Sequence, residues 1–202
     1  MTKEIIEKEN KTYRVWFHIL KFIVLLFYPY KSSGWENMPD RSAILCANHS
    51  NYIDPFLIAA HSGQDAGIRF MAKIELSRIP VLGYILKRLG VIFIDRKTSD
   101  LNAIRATIKY LKADQKVFIF PEGTRSNSEN SVSAKTGAIR IAAKTGAPIV
   151  PIYIPRDKKL FSKGTIIMGK PYFISKTEDL DLEIAADELM EKIRNLQNEA
   201  VS

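Results

Sequence analysis

Apolar runs rich in β-branched residues recur along this chain, and stretches of helical periodicity fall between them. The strong runs are Ala43–Ala47, Val91–Ile94, Val117–Phe120 and Ile149–Ile154, with weaker ones at Ile68–Met71 and Thr165–Met168. Leu101, Ile104, Ile108 and Leu111 recur on one helical face, behind a Ser99 placed to cap it. Gly137–Lys144 reads as a second helix, and Leu182, Ala186, Leu189, Ile193 and Leu196 mark a third. Strands separated by helices cannot be joined as hairpins; they need crossovers, and crossovers make strands parallel. The alternation therefore predicts an α/β domain with a mostly parallel central sheet flanked by helices. Open sheets of this kind place their sites at the C-terminal ends of the strands.

The chain has 202 residues, of which 46% are hydrophobic, enough to bury one substantial core. Disorder is excluded on that ground, and 10 glycines and 9 prolines without a period exclude collagen-like classes. A single cysteine, Cys46, excludes a disulfide framework and a cysteine-rich zinc site. Such cysteine usage suits a reducing compartment. The net charge of +8 is uneven: residues 177–202 carry two basic and eight acidic side chains, 69–125 twelve and five, and 132–176 nine and one. Such a field favours an anionic partner: nucleic acid, a phosphate-bearing substrate or an acidic lipid surface. Phosphate-loop, dinucleotide and RNA-recognition signatures are all missing from the sequence, so neither nucleotide nor nucleic-acid binding gains support.

Residues 15–28 form the most apolar stretch, interrupted by His18 and Lys21. It is shorter than the roughly 20 residues a spanning helix requires. Glu4, Glu7, Lys11, Arg14, His18 and Lys21 follow steps of three and four, which makes one polar stripe on an otherwise apolar helix. The pattern predicts an amphipathic helix in a membrane interface, with Pro29 and Gly34 ending it. A helix packed on the protein's own core and a short steep anchor are the alternatives.

Four segments can carry chemistry. Asn48-His49-Ser50-Asn51-Tyr52-Ile53-Asp54-Pro55 places a histidine and an aspartate five apart across a strand-to-helix turn. There the carboxylate can fix the imidazole tautomer and make His49 a general base, a role suited to a side chain that ordinarily titrates near neutral pH. Alternatively, Asp54 caps the next helix and His49 is an ordinary strand-end residue. Phe120-Pro121-Glu122-Gly123-Thr124-Arg125-Ser126 follows a strand with a glycine for close backbone approach, two hydroxyls and a guanidinium fork suited to phosphate. Read blandly, it is a polar turn. Gly90–Arg96 ends a strand on the pair Asp95-Arg96, and Val150-Pro151-Ile152-Tyr153, preceded by Lys135–Ala138, ends another. Cys46 reads as a core residue, His18 as part of the polar stripe, and His61 as part of a polar turn with Gly63.

Taken together and in this order, the four segments resemble the blocks of the glycerolipid acyltransferases, in particular members that acylate 1-acyl-sn-glycerol-3-phosphate. The similarity runs over about residues 30–175. It divides the chain into a membrane-associating helix over 1–30 and an acyltransferase domain over 31–202. It implies that His49, oriented by Asp54, deprotonates the free sn-2 hydroxyl of lysophosphatidic acid, which attacks an acyl thioester to give phosphatidic acid. The donor is acyl carrier protein or coenzyme A, as co-substrate; no other cofactor and no metal are implied. Arg96 and Arg125 are the implied phosphate ligands, with Gly123, Thr124 and Glu122 beside them. Glu122 is left between orienting Arg125, touching the acceptor and supporting the turn. The expected location is the cytoplasmic face of the cell membrane, held there peripherally or monotopically on an anionic surface. Glycerol-3-phosphate or another lysophospholipid is the alternative acceptor, and a basic protein that only binds anionic lipid or nucleic acid is the non-enzymatic alternative.

Overall fold

The structure, a computed structural model, describes residues 15, 17–63, 66–95, 100–125, 134–176 and 179–199. Seven strands, β1 (Lys31–Ser33), β2 (Ile44–Ala47), β3 (Ile68–Lys73), β4 (Ile92–Ile94), β5 (Lys116–Ile119), β6 (Ile149–Tyr153) and β7 (Thr165–Met168), form one sheet in the order β1-β7-β6-β2-β5-β3-β4. All pairings are parallel except β6 with β7. This is the expected α/β fold with a mostly parallel sheet. The central strands β2 and β6 are buried along their whole length, because helices cover both faces of the sheet.

Alternation along β2 divides the core in two. Ile44 and Cys46 point to one face, with Val117 and Ile149 from the neighbouring strands. That face is covered by α4 (Leu101–Lys112), α5 (Gly137–Thr145) and α6 (Leu182–Glu199), through Ala103, Ile139 and Leu189 among others. Leu45 and Ala47 point the other way, with Phe118, Val150 and Ile152, onto Leu57 and Ile58 of α2 (Asp54–Ser62) and Val24 of the N-terminal helix. The short helix α3 (Leu82–Arg88) lies between β3 and β4.

Three local expectations change. Asp100, rather than Ser99, caps α4: its carboxylate accepts the Ala103 amide at 3.0 Å. Aspartate and serine are near-equal caps, and only the backbone decides between adjacent ones; Ser99 lies outside the described residues. His61 belongs to the last turn of α2, not to a polar turn. The helix formed by residues 17–27, α1, is apolar on two sides. Phe17 and Val24 are buried, and Val24 joins the same cluster as Tyr30 and β2, whereas Ile19, Phe22, Ile23 and Leu26 are exposed. His18 is exposed and Lys21 half-buried; Glu4, Glu7, Lys11 and Arg14 lie outside the described residues. Among the described residues no helix is long and apolar enough to cross a membrane.

Candidate active site

β2 sits between β6 and β5, so the loops leaving these three strands meet at one edge of the sheet. Residues 48–53, between β2 and α2, form the first. Asn48 fixes its start: its side-chain amide donates to the Ile154 carbonyl at 2.7 Å, and its oxygen accepts the Ile154 amide at 2.8 Å. The polypeptide leaving β6 is thus clasped to the one leaving β2. Asn51 tightens the turn by accepting the Ile53 amide at 3.2 Å.

His49 and Asp54 meet across this turn, with Nδ1 and Oδ2 at 2.9 Å. The same Oδ2 accepts the amides of Ser50 and Asn51, each at 2.8 Å. Asp54 lies in the first turn of α2, yet its carboxylate faces back into the loop instead of capping the helix ahead. Its side chain is 0% exposed, as is that of Lys158, whose Nζ stands 2.9 Å from Asp54 Oδ1. Burial disfavours the Asp54 charge, but the bond to His49, the Lys158 ammonium and the Asn51 amide outweigh it and hold the carboxyl below its ordinary range. An ionised carboxylate only accepts, so His49 Nδ1 carries the proton and Nε2 is left as the acceptor. The imidazole stacks on Phe120 at 3.9 Å between centroids, which fixes the ring plane.

Glu122, from the loop after β5, is also buried, at 2% exposure. Its Oε1 accepts the His49 backbone amide at 3.3 Å and the Arg156 guanidinium at 3.0 Å. The other oxygen, Oε2, is buried without a hydrogen-bond partner. Burial raises this carboxyl above its ordinary value despite Arg156 and the His49 amide. Glu122 therefore ties the β5 loop to the β2 and β6 loops. The partner the structure gives it is Arg156; Arg125 instead lies over the Tyr52 ring, its guanidinium carbon 3.4 Å from the centroid. Gly123 adopts φ +66°, a left-handed turn position that glycine takes without strain. Arg96 and Ser126 lie outside the described residues.

A cavity of about 520 Å³ opens beside His49. Tyr52, Thr124, Arg125 and Lys73 contribute its other polar groups. The remainder is apolar, with Phe17 and Leu20 from α1, Phe56 from α2, Phe70 from β3, and Leu82 and Leu86 from α3. An imidazole held by a carboxylate, two cations and an apolar lining suit an anionic acceptor that carries a fatty chain. Cys46 is fully buried in β2, where burial pushes its thiol up and away from nucleophilic use.

Three residues that the structure brings to this site were missed from the sequence. Lys158 and Arg156 follow β6, and their signal was a basic cluster just past a buried strand, uninformative until β6 is known to adjoin β2. Lys73 closes β3 and was one of many lysines in a basic block.

The fold and site define an α/β acyl-transfer domain with a histidine–aspartate pair at the sheet edge. The model of the Acyltransferase family matches residues 30–155, and the chain belongs to that family. It is 31% identical over 196 residues to the 1-acyl-sn-glycerol-3-phosphate acyltransferase of Bacillus subtilis, covering 92% of this chain and 97% of that one. It is also 31% identical over 186 residues to a chloroplastic 1-acyl-sn-glycerol-3-phosphate acyltransferase of Brassica napus, covering 85% of this chain and 52% of that protein. The chain thus spans about half the length of that plant relative. The crystal structure of the 1-acyl-sn-glycerophosphate acyltransferase from Thermotoga maritima superposes with a TM-score of 0.64 at 28% identity, covering 95% of this chain and 79% of that one.

Proposed function

We propose that this protein transfers a fatty acyl group from an acyl thioester to the free sn-2 hydroxyl of 1-acyl-sn-glycerol-3-phosphate, giving phosphatidic acid. The observation that carries the reading is the His49–Asp54 pair, with Nδ1 and Oδ2 at 2.9 Å, on a cavity that Arg125 and Lys73 also line. His49 Nε2 removes the proton from the acceptor hydroxyl as its oxygen attacks the thioester carbonyl carbon. The C–S bond then breaks, and the departing sulfur takes the proton back from the imidazolium. No acyl-enzyme forms, consistent with the burial of Cys46.

Register on the glycerol backbone comes from the acceptor phosphate. Arg125, stacked on Tyr52, and Lys73 are the cations at the cavity, and Thr124 adds a hydroxyl. The role of Arg96 as a third cation rests on the sequence alone. The apolar part of the cavity takes a fatty chain. The exposed apolar face of α1 rests on a membrane surface, where both lipids are found, on its cytoplasmic side. The names of the relatives support the acceptor; acyl carrier protein and coenzyme A are both retained as donors.

The test is an acyl-transfer assay on purified protein, with lysophosphatidic acid, glycerol-3-phosphate and a neutral monoacylglycerol as acceptors and both thioesters as donors. Free thiol is followed and the product identified by mass spectrometry. Phosphatidic acid formed fastest from lysophosphatidic acid is the expected result; faster acylation of glycerol-3-phosphate, or none at all, would overturn the reading.

A further inference from the structure

The loop between β6 and β7 ends in an exposed apolar tip, Leu160-Phe161, at 59% and 62% exposure. A mobile loop could fold such side chains back onto the protein. This one is held out. At its root the Lys158 ammonium binds Ser50 Oγ at 2.8 Å and the Asp54 carboxylate at 2.9 Å. Across the tip, Ser162 Oγ donates to the Lys159 carbonyl at 2.7 Å and accepts the Lys159 amide at 3.1 Å. The Phe161 amide donates to the Phe27 carbonyl of α1 at 2.7 Å, and the two rings lie 5.8 Å apart. Phe161 itself sits at φ +63°. A bulky aromatic in the left-handed region is strained, and such strain with two exposed apolar side chains points to a use for the tip.

Phe27 closes α1, so the tip continues the exposed apolar ridge formed by Phe22, Ile23 and Leu26. Its flanks are cationic: Lys159 and Lys163 stand on either side, and exposed Lys31 lies on the strand paired with β7. The loop's one acid, Asp157, stands 4.0 Å from Lys159. Apolar side chains at the point with ammonium groups behind them match an anionic bilayer, whose phosphates meet the lysines as the point enters the acyl region. We infer that Leu160 and Phe161 form a second lipid-inserting point, which together with α1 seats the enzyme on an anionic membrane. This rests on the proposal that the enzyme works at a membrane surface, with α1 as one of its contacts.

Vesicle sedimentation with the full chain separates the two. The tip variant is Leu160→Gln with Phe161→Asn, because asparagine tolerates a left-handed backbone and the fold is kept. On phosphatidylcholine vesicles containing phosphatidylglycerol it should bind about ten- to a hundredfold more weakly than wild type while melting at the same temperature. Lys159→Gln and Lys163→Gln should each cost about fivefold on these vesicles and little on pure phosphatidylcholine. A Phe161→Trp protein should show an emission blue shift on vesicle addition and quenching by brominated acyl chains. Undiminished binding of the tip variant, or an indole at the tip that brominated chains leave unquenched, overturns the inference. So does loss of a concentration-dependent dimer in the tip variant with vesicle binding intact, since the tip would then be covered by a second copy. A variant of α1, Phe22→Gln with Ile23→Gln, identifies which statement has failed: full binding there with weak binding of the tip variant removes α1 and keeps the tip.

Discussion

The carboxylate of Asp54 is divided between a partner close in sequence and one distant from it: Oδ2 faces His49 Nδ1 and Oδ1 faces Lys158 Nζ, each at 2.9 Å. Both acid and lysine are sealed from solvent. Two buried opposite charges offset each other's desolvation, and removing one leaves the other uncompensated. Burial also pulls the Lys158 ammonium below its ordinary range, against the pull of Asp54.

The first expectation concerns that lysine. Lys158→Met should cost on the order of 3 kcal/mol of stability, measured by urea denaturation. It should also lower turnover, because the Asp54 carboxylate that holds His49 loses its second anchor. Full activity in a Lys158→Met protein of unchanged stability would remove this role.

The proposed catalytic pair should be sensitive to both members. His49→Ala is expected to lower turnover by about a thousandfold in a protein that still folds, with a modest loss of stability from the buried carboxylate it leaves. Asp54→Asn should cost nearly as much, since an amide can present its N–H to Nδ1 and support the wrong tautomer. Substantial residual acyl transfer by a folded His49→Ala protein would remove the mechanism.

Phosphate recognition is proposed for Arg125, stacked on Tyr52, and for Lys73. Arg125→Ala should reduce kcat/KM for lysophosphatidic acid by roughly thirty- to a thousandfold and abolish the preference over a neutral monoacylglycerol. Arg125→Lys should recover little, because an ammonium neither stacks on Tyr52 nor forms the two-pronged bond. Tyr52→Ala should raise KM more than it lowers kcat, and Lys73→Ala should act in the same direction as Arg125→Ala. Equal losses on charged and neutral acceptors would make these residues structural.

The two buried carboxyls should affect stability in opposite directions with pH. Asp54 is held below its ordinary 3.8, so its contribution is present above that value and is lost as pH falls through the lowered one. Glu122 is held above its ordinary 4.5, so its contribution is present below that value and is lost as pH rises through the raised one. Melting curves from acid to neutral pH should therefore show the gap between wild type and Asp54→Asn widening toward neutrality, and the gap to Glu122→Gln narrowing. Parallel gaps would contradict both assignments.

The sequence by itself determined what is local. Runs such as Ile149–Ile154 fixed strands, the spacing of Leu101, Ile104, Ile108 and Leu111 fixed a helix, and the five-residue step from His49 to Asp54 placed an imidazole and a carboxylate on one turn. Each of these follows from backbone periodicity or from a loop too short to separate its ends. The antiparallel β7, the pairing of Glu122 with Arg156 and the place of Lys158 beneath Asp54 were not legible. Lys158 is 108 residues from Ser50, and nothing in the intervening sequence says that β6 inserts next to β2. That neighbourhood is decided by which helices cover which face of the sheet, a property of the whole packed core. For the same reason the apolar pattern of residues 17–27 showed a helix without showing that one side packs on the sheet and the other is left bare beside Phe161.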